Sequence, residues 1–135
     1  MTVRLPKDEN RNISEARDIA RIMQKVLLCQ NKHHRAKEYF WTIGLNHAND
    51  IAYIELVTIG TQNRNILAPA EVLSLAVAKK CLKIICCHNH PSGNLVASEA
   101  DIALTENLAK AAVILGMELL DHIIITEEEY VSIWP

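Results

Sequence analysis

Residues 88 to 101 read His88-Asn89-His90-Pro91-Ser92-Gly93-Asn94-Leu95-Val96-Ala97-Ser98-Glu99-Ala100-Asp101. This one short stretch places two imidazoles, a hydroxyl and a carboxylate where three of them could hold a catalytic divalent metal. His88, His90 and Asp101 make a nitrogen and oxygen set of three, the number expected of a Zn²⁺ site that keeps a fourth position open for water. A metal held this way lowers the pKa of its water to about 7 and polarises a substrate carbonyl.

The flanking residues supply the elements such a site needs. Leu82 to Cys87 (LKIICC) is a short apolar run that predicts a buried strand over 82–88. Residues two apart on an extended chain point the same way, so His88 and His90 can aim at one point while Asn89 faces elsewhere. Pro91, Ser92 and Gly93 then turn the chain. Ser98 fits the N-cap of a helix running to about 115, with Asp101 at its N3 position. Its apolar residues Ile102, Leu104, Leu108, Ala111, Ala112 and Leu115 recur at near-helical intervals, and Gly116 ends it. A carboxylate on that first turn can look back toward the strand end.

The rest of the chain reads as α/β. Residues 1 to 12 are polar and are expected to be loose. Ser14 is a candidate cap for a helix whose Ala16, Ile19, Ala20, Met23, Val26 and Leu27 form an apolar stripe, either core packing or an exchangeable arm. Strands are expected at 38–45 and 51–60, joined through Asn46-His47-Ala48-Asn49-Asp50, with His47 exposed. Pro69 suits the first position of a helix to about Lys80. Met117 to Thr126 and Tyr130 to Ile133 read as closing strands, with His122 a satisfied interior histidine. Residues 1–33 are set apart as tail and helix, and 34–135 as the metal-binding domain.

Composition narrows the function classes. The chain has 135 residues, enough for one domain with a proper core. With half of its residues hydrophobic and 22% charged it has the composition of a soluble globular protein. Only six residues are aromatic (one Phe, two Trp, three Tyr), so Ile, Leu, Val and Ala must fill most of the core. Lys and Arg number 14 against 16 Asp and Glu, a formal charge of −2 that gives no strong nucleic-acid signal. The run Lys32-His33-His34-Arg35-Ala36-Lys37 is the best local basic patch, and such runs are usually solvated linkers. Cys29, Cys81, Cys86 and Cys87 lack metal-ligand spacing and suit small core hydrophobes in a reducing compartment. Without a leader or a long apolar span, a cytoplasmic location and no membrane partner are expected.

Two similar motifs do not apply. The letters His88-Asn89-His90 suggest an HNH nuclease, but that motif distributes its residues over a hairpin and a helix. Zinc deaminases use His-x-Glu with a downstream Pro-Cys-x-x-Cys, and this chain has no Cys-x-x-Cys.

The array His88-x-His90, seven residues, then Ser98-x-x-Asp101 resembles the JAMM (MPN+) signature of the JAB1/MPN metalloprotease superfamily. His88-Asn89-His90-Pro91-Ser92-Gly93 is similar to its RadC-like branch. So are Gly60-Thr61-Gln62-Asn63-Arg64 with Pro69-Ala70-Glu71-Val72, and Asp121-His122-Ile123-Ile124-Ile125 with Tyr130-Val131-Ser132. The resemblance spans roughly 34–133. Ala97 replaces the usual Pro and Ala70 the usual Arg; neither is a proposed ligand.

The resemblance implies a single α/β domain, a mixed β-sheet flanked by helices with cytidine-deaminase-like layering. It implies one Zn²⁺ per chain on His88, His90 and Asp101. It also requires an upstream Glu as general base. Glu55 lies in a strand pattern and Glu71 in a helix first turn, while spacing alone does not single out Glu38; matching the family's first strand places the base at Glu38. Glu38 would move the proton and Ser98 would donate to the oxyanion, so that a peptide or isopeptide bond of a protein or peptide substrate is cleaved. Longer members carry a helix-hairpin-helix-type region, which is expected to be absent from these 135 residues. The rival expectation is a non-catalytic metal-containing binding module in a DNA-repair or nucleic-acid-associated assembly, and a hydrolase of another small amide is a third. Self-association as a homo-oligomer is left open.

Overall fold

Strand-like runs and apolar helical stripes alternate along the chain, and the structure uses them to cover both faces of one sheet. The computed structural model describes residues 1–7, 10–60 and 67–135. Its elements are β1 (Thr2–Val3), α1 (Ala16–Leu28), α2 (Lys32–Arg35), β2 (Tyr39–Leu45), β3 (Ile51–Ile59), α3 (Pro69–Ala78), β4 (Lys83–Asn89), α4 (Glu99–Ile114), β5 (Glu118–Ile125) and β6 (Tyr130–Ser132). The strands form one mixed sheet in the order β1-β3-β2-β4-β5-β6. β4 and β5 run parallel across the α4 connection, and the other described pairs are antiparallel.

Every residue of β2 is buried, because its alternate side chains meet different helices. Tyr39, Trp41, Ile43 and Leu45 pack with Ile85, Cys87, Ile123 and Ile125 under the α1 residues Ile19, Ile22, Met23, Val26 and Leu27. Phe40 and Tyr53 instead join Ile84, Cys86, Val72, Leu73, Leu104, Leu108 and Ala112 under α3 and α4. Gly44 is required there, since a Cβ would overlap the Tyr53 ring. Cys86 and Cys87 thus enter opposite cores; burial pushes the Cys86 thiol up to about 12 and Cys87 well above its usual value. Both are packing residues rather than thiolates.

Several expectations change. The first residues are not loose throughout: Thr2 and Val3 pair with Glu55 and Ile54, and Asn12 bridges to Asp50. Glu15, not Ser14, is the α1 N-cap. The cap works from inside the helix, where Asp18 Oδ2 accepts from Ser14 N, Ser14 Oγ and Glu15 N at 2.9, 3.0 and 3.1 Å. The basic run is not simply a linker, for Lys32–Arg35 forms a helical turn capped by the Asn31 side chain, with Lys32, His33 and His34 exposed. In α4 the buried stripe is Asp101, Leu104, Thr105, Leu108 and Ala112, whereas Ile102 and Leu115 are exposed. Two polar residues displace the expected apolar ones because the sheet beneath them presents imidazoles. Residues 61–66, which carry part of the resemblance, lie outside the described residues. No helix among the described residues is long and apolar enough to cross a membrane.

Candidate metal centre

The site lies where β4 ends beneath the first turn of α4. His88 is fully buried and faces the α4 side, its backbone paired with Phe40 of β2 and Ile124 of β5. His90 follows on the same side, half-buried, with its N–H bonded to the Ile125 carbonyl at 3.0 Å. Ser98 caps α4 as its sequence suggests: Asp101 N donates to Ser98 Oγ at 3.0 Å and Ser98 N donates to Asp101 Oδ2 at 3.2 Å. This reciprocal cap fixes the carboxylate over the strand end.

Three donor atoms converge there. His88 Nε2 lies 3.0 Å from His90 Nε2 and 3.3 Å from Asp101 Oδ2, and His90 Nε2 lies 3.6 Å from that same oxygen. Ligand atoms about 2.1 Å from a tetrahedral metal stand roughly 3.4 Å apart, so the spacing fits. The charge balance fits as well. His90 Nδ1 faces the Asn94 carbonyl oxygen at 2.7 Å. A carbonyl only accepts, so Nδ1 carries the proton and a neutral His90 turns a bare Nε2 to the centre. In the charged ring Nε2 would donate to Asp101, which raises the His90 pKa against the opposing effect of burial. Burial pushes the Asp101 carboxyl up, but hydrogen bonds that His88 and His90 give when their rings are charged outweigh it and hold the group well below the usual carboxylate range. The cluster attracts positive charge.

Glu38 comes to the same place from the position just before β2. Its carboxylate and the two imidazoles offer donor atoms all within 4.8 Å of one another, a group that could hold a metal ion. Glu55 is paired within β3 and Glu71 is exposed in the first turn of α3, and neither joins that group. Glu38 is placed by a residue that sequence reasoning turned away from the site. Asn89 is buried, accepts from Tyr39 N at 2.6 Å through Oδ1 and donates to Lys37 O at 2.9 Å through Nδ2. It clamps the backbone on both sides of Glu38. An Asn inside an otherwise apolar strand was the available signal, since a buried amide needs partners.

His122 is also nearer than expected. It is buried and satisfied, as its apolar surroundings suggest, but its Nε2 lies 2.8 Å from His88 Nδ1. Around the centre, Ala36, Glu38, Pro91, Ser92, Val96 and Ser98 wall an open cleft of ≈ 360 Å³. His47, by contrast, is exposed on its turn, as expected.

An α/β domain with a His, His and carboxylate cluster at the end of a central strand is of a class that could hold a metal ion. The comparisons narrow it: the model of the RadC-like JAB domain matches residues 13–134, and the chain belongs to that family. The match takes in α1, beyond the 34–133 stretch that carried the resemblance. The chain is 41% identical over 98 residues to a UPF0758 protein of Geobacillus kaustophilus, covering 73% of this chain and 43% of that protein. Similar values hold for a UPF0758 protein of Listeria innocua, 42% over 97 residues (72% and 43%). For one of Clostridium botulinum they are 42% over 106 residues (78% and 46%). The chain thus spans under half the length of these relatives.

Proposed function

We propose that the protein is a zinc-dependent hydrolase of the JAMM type that cleaves a peptide or isopeptide bond. The convergence of His88 Nε2, His90 Nε2 and Asp101 Oδ2 within 3.6 Å, with Glu38 beside them, carries this reading. His88, His90 and Asp101 would hold the ion, because neutral imidazole and carboxylate suit zinc. Bound there, zinc supplies an acidified water and a polarised carbonyl. The remaining chemistry belongs to the chain. Glu38 takes a proton from the attacking water and delivers it to the leaving amine. Ser98 spends its lone pair on Asp101 N–H, so its own hydroxyl proton serves the oxyanion of the tetrahedral intermediate. The cleft is open rather than closed over a small molecule, which suits an extended peptide and favours this class over a small amide.

The test is elemental analysis of protein purified without a metal column, followed by assay on peptide and isopeptide-linked substrates. Zinc near one per chain in the wild type and in Glu38→Gln, with turnover only in the wild type, is the expected result. Turnover surviving in Glu38→Gln would give the base role to another residue. Absence of zinc even after reconstitution would favour the binding-module reading, for which salt-sensitive DNA binding is the check.

A further inference from the structure

His122 is a buried titratable group that the chemistry above leaves unused, and its hydrogen bonds run in one direction. Thr105 Oγ1 donates to the Asp101 carbonyl at 2.7 Å. Its only proton is thereby committed, so it meets His122 Nδ1, at 2.6 Å, as an acceptor. The His122 ring proton therefore sits on Nδ1. In the neutral ring Nε2 is then a lone pair, and the hydrogen between it and His88 Nδ1, 2.8 Å away, belongs to His88. A neutral His88 with its proton on Nδ1 presents a bare Nε2 to His90 and Asp101. In the opposite arrangement His122 would donate to His88, and a proton on His88 Nε2 would occupy the centre.

Backbone register puts His122 there. β4 and β5 pair Ile84 with Leu119 but Ile85 with Asp121, so Leu120 is an extra residue. Beyond that slip His122 lies opposite Cys86 on the α4 side. Without it, the side-chain alternation would turn the imidazole toward α1.

We propose that His122, backed by Thr105, is a positioning residue that fixes the Nδ1–H tautomer and ring orientation of His88, leaving Nε2 bare for a divalent metal. This rests on reading His88 as a ligand. Partners of this kind are typically worth 10- to 100-fold in metal affinity.

The experiment pairs long-range ¹H–¹⁵N imidazole spectra of the metal-free protein with zinc affinity by chelator competition. Expected are an Nδ1–H His88 in the wild type, and about 10- to 100-fold weaker zinc binding with a mixed His88 tautomer in His122→Leu. His122→Gln, whose side-chain carbonyl can accept from His88, should stay within about threefold of wild type, and Thr105→Val should fall between the two. Wild-type affinity in His122→Leu, equal losses in the Gln and Leu variants, or an Nε2–H His88 in the wild type would overturn the proposal. Should His122→Leu fail to fold, Thr105→Val decides, with unchanged affinity and tautomer counting against the relay. Should the wild type bind no zinc, the hydrolase reading fails, while the His88 tautomer in the wild type and in Thr105→Val still decides whether His122 positions the ring.

Discussion

The two faces of the sheet near the end of β4 are built from different material. Toward α1, Cys87 is surrounded by Trp41, Ile43 and Ile123 beneath Ile19 and Met23, a core built almost wholly of apolar side chains. Toward α4, one residue along, His88 meets His122 and Asp101, with Thr105 bonded to the far side of His122 and Phe40 stacked 6.0 Å from the His88 ring. The first face is held by area and shape, and its contributions add up gradually. The second is held by hydrogen bonds in which each member sets its neighbour's proton, so a single removal is felt along the line. At this end of β4 the polar cluster is thereby confined to one side of the strand.

The sharpest way to break this contrast is Asp101→Ala. Zinc should fall from near one per chain to near none by elemental analysis while the fold persists, and unaltered zinc would remove Asp101 from the ligand set. Trp41→Ala on the dry face should do the reverse. It should lose roughly 3–5 kcal/mol in denaturant unfolding, yet keep its zinc wherever it is folded. Loss of zinc at native denaturant concentrations would mean that the faces are coupled.

Asn89→Leu tests the one amide placed among the α1-facing positions. Leaving Lys37 O or Tyr39 N unpaired costs about 1–3 kcal/mol per group, and Glu38 loses its anchor. Turnover should drop with zinc retained; a variant with normal turnover would show that pairing with β3 alone holds Glu38. The smallest effect concerns α1. Backbone hydrogen bonding from Ser14 holds Asp18 below the usual carboxylate pKa. A depressed folded pKa means that the cap's contribution is complete above the unfolded value and lost as pH falls through the folded one. Asp18→Asn should flatten that acid limb slightly in pH-dependent unfolding, and an identical limb would leave the cap without a measurable role.

Much of the centre is legible locally. His88 and His90 share a side by strand alternation, and Ser98 with Asp101 reads directly as a cap. Glu38 is not accessible this way, because its place depends on Phe40 pairing with His88 across β2 and β4, a non-local register. The resemblance to other chains supplied what spacing could not. The α4 stripe misled for a related reason: Ile102 is apolar and exposed, while Asp101 and Thr105 are polar and buried, since the imidazoles below decide which side chains are satisfied there.

The sequence by itself determined the longer strands and helices, the mixed α/β class and the local donor array, because these follow from short-range periodicity and capping. Only the tertiary structure decided that Asn89 would clamp Glu38 and that the extra residue at Leu120 would turn His122 toward His88. Periodicity fixes a side chain's phase within its own strand; the slip between β4 and β5, set by how two strands and a helix pack together, fixes which neighbours that phase will meet.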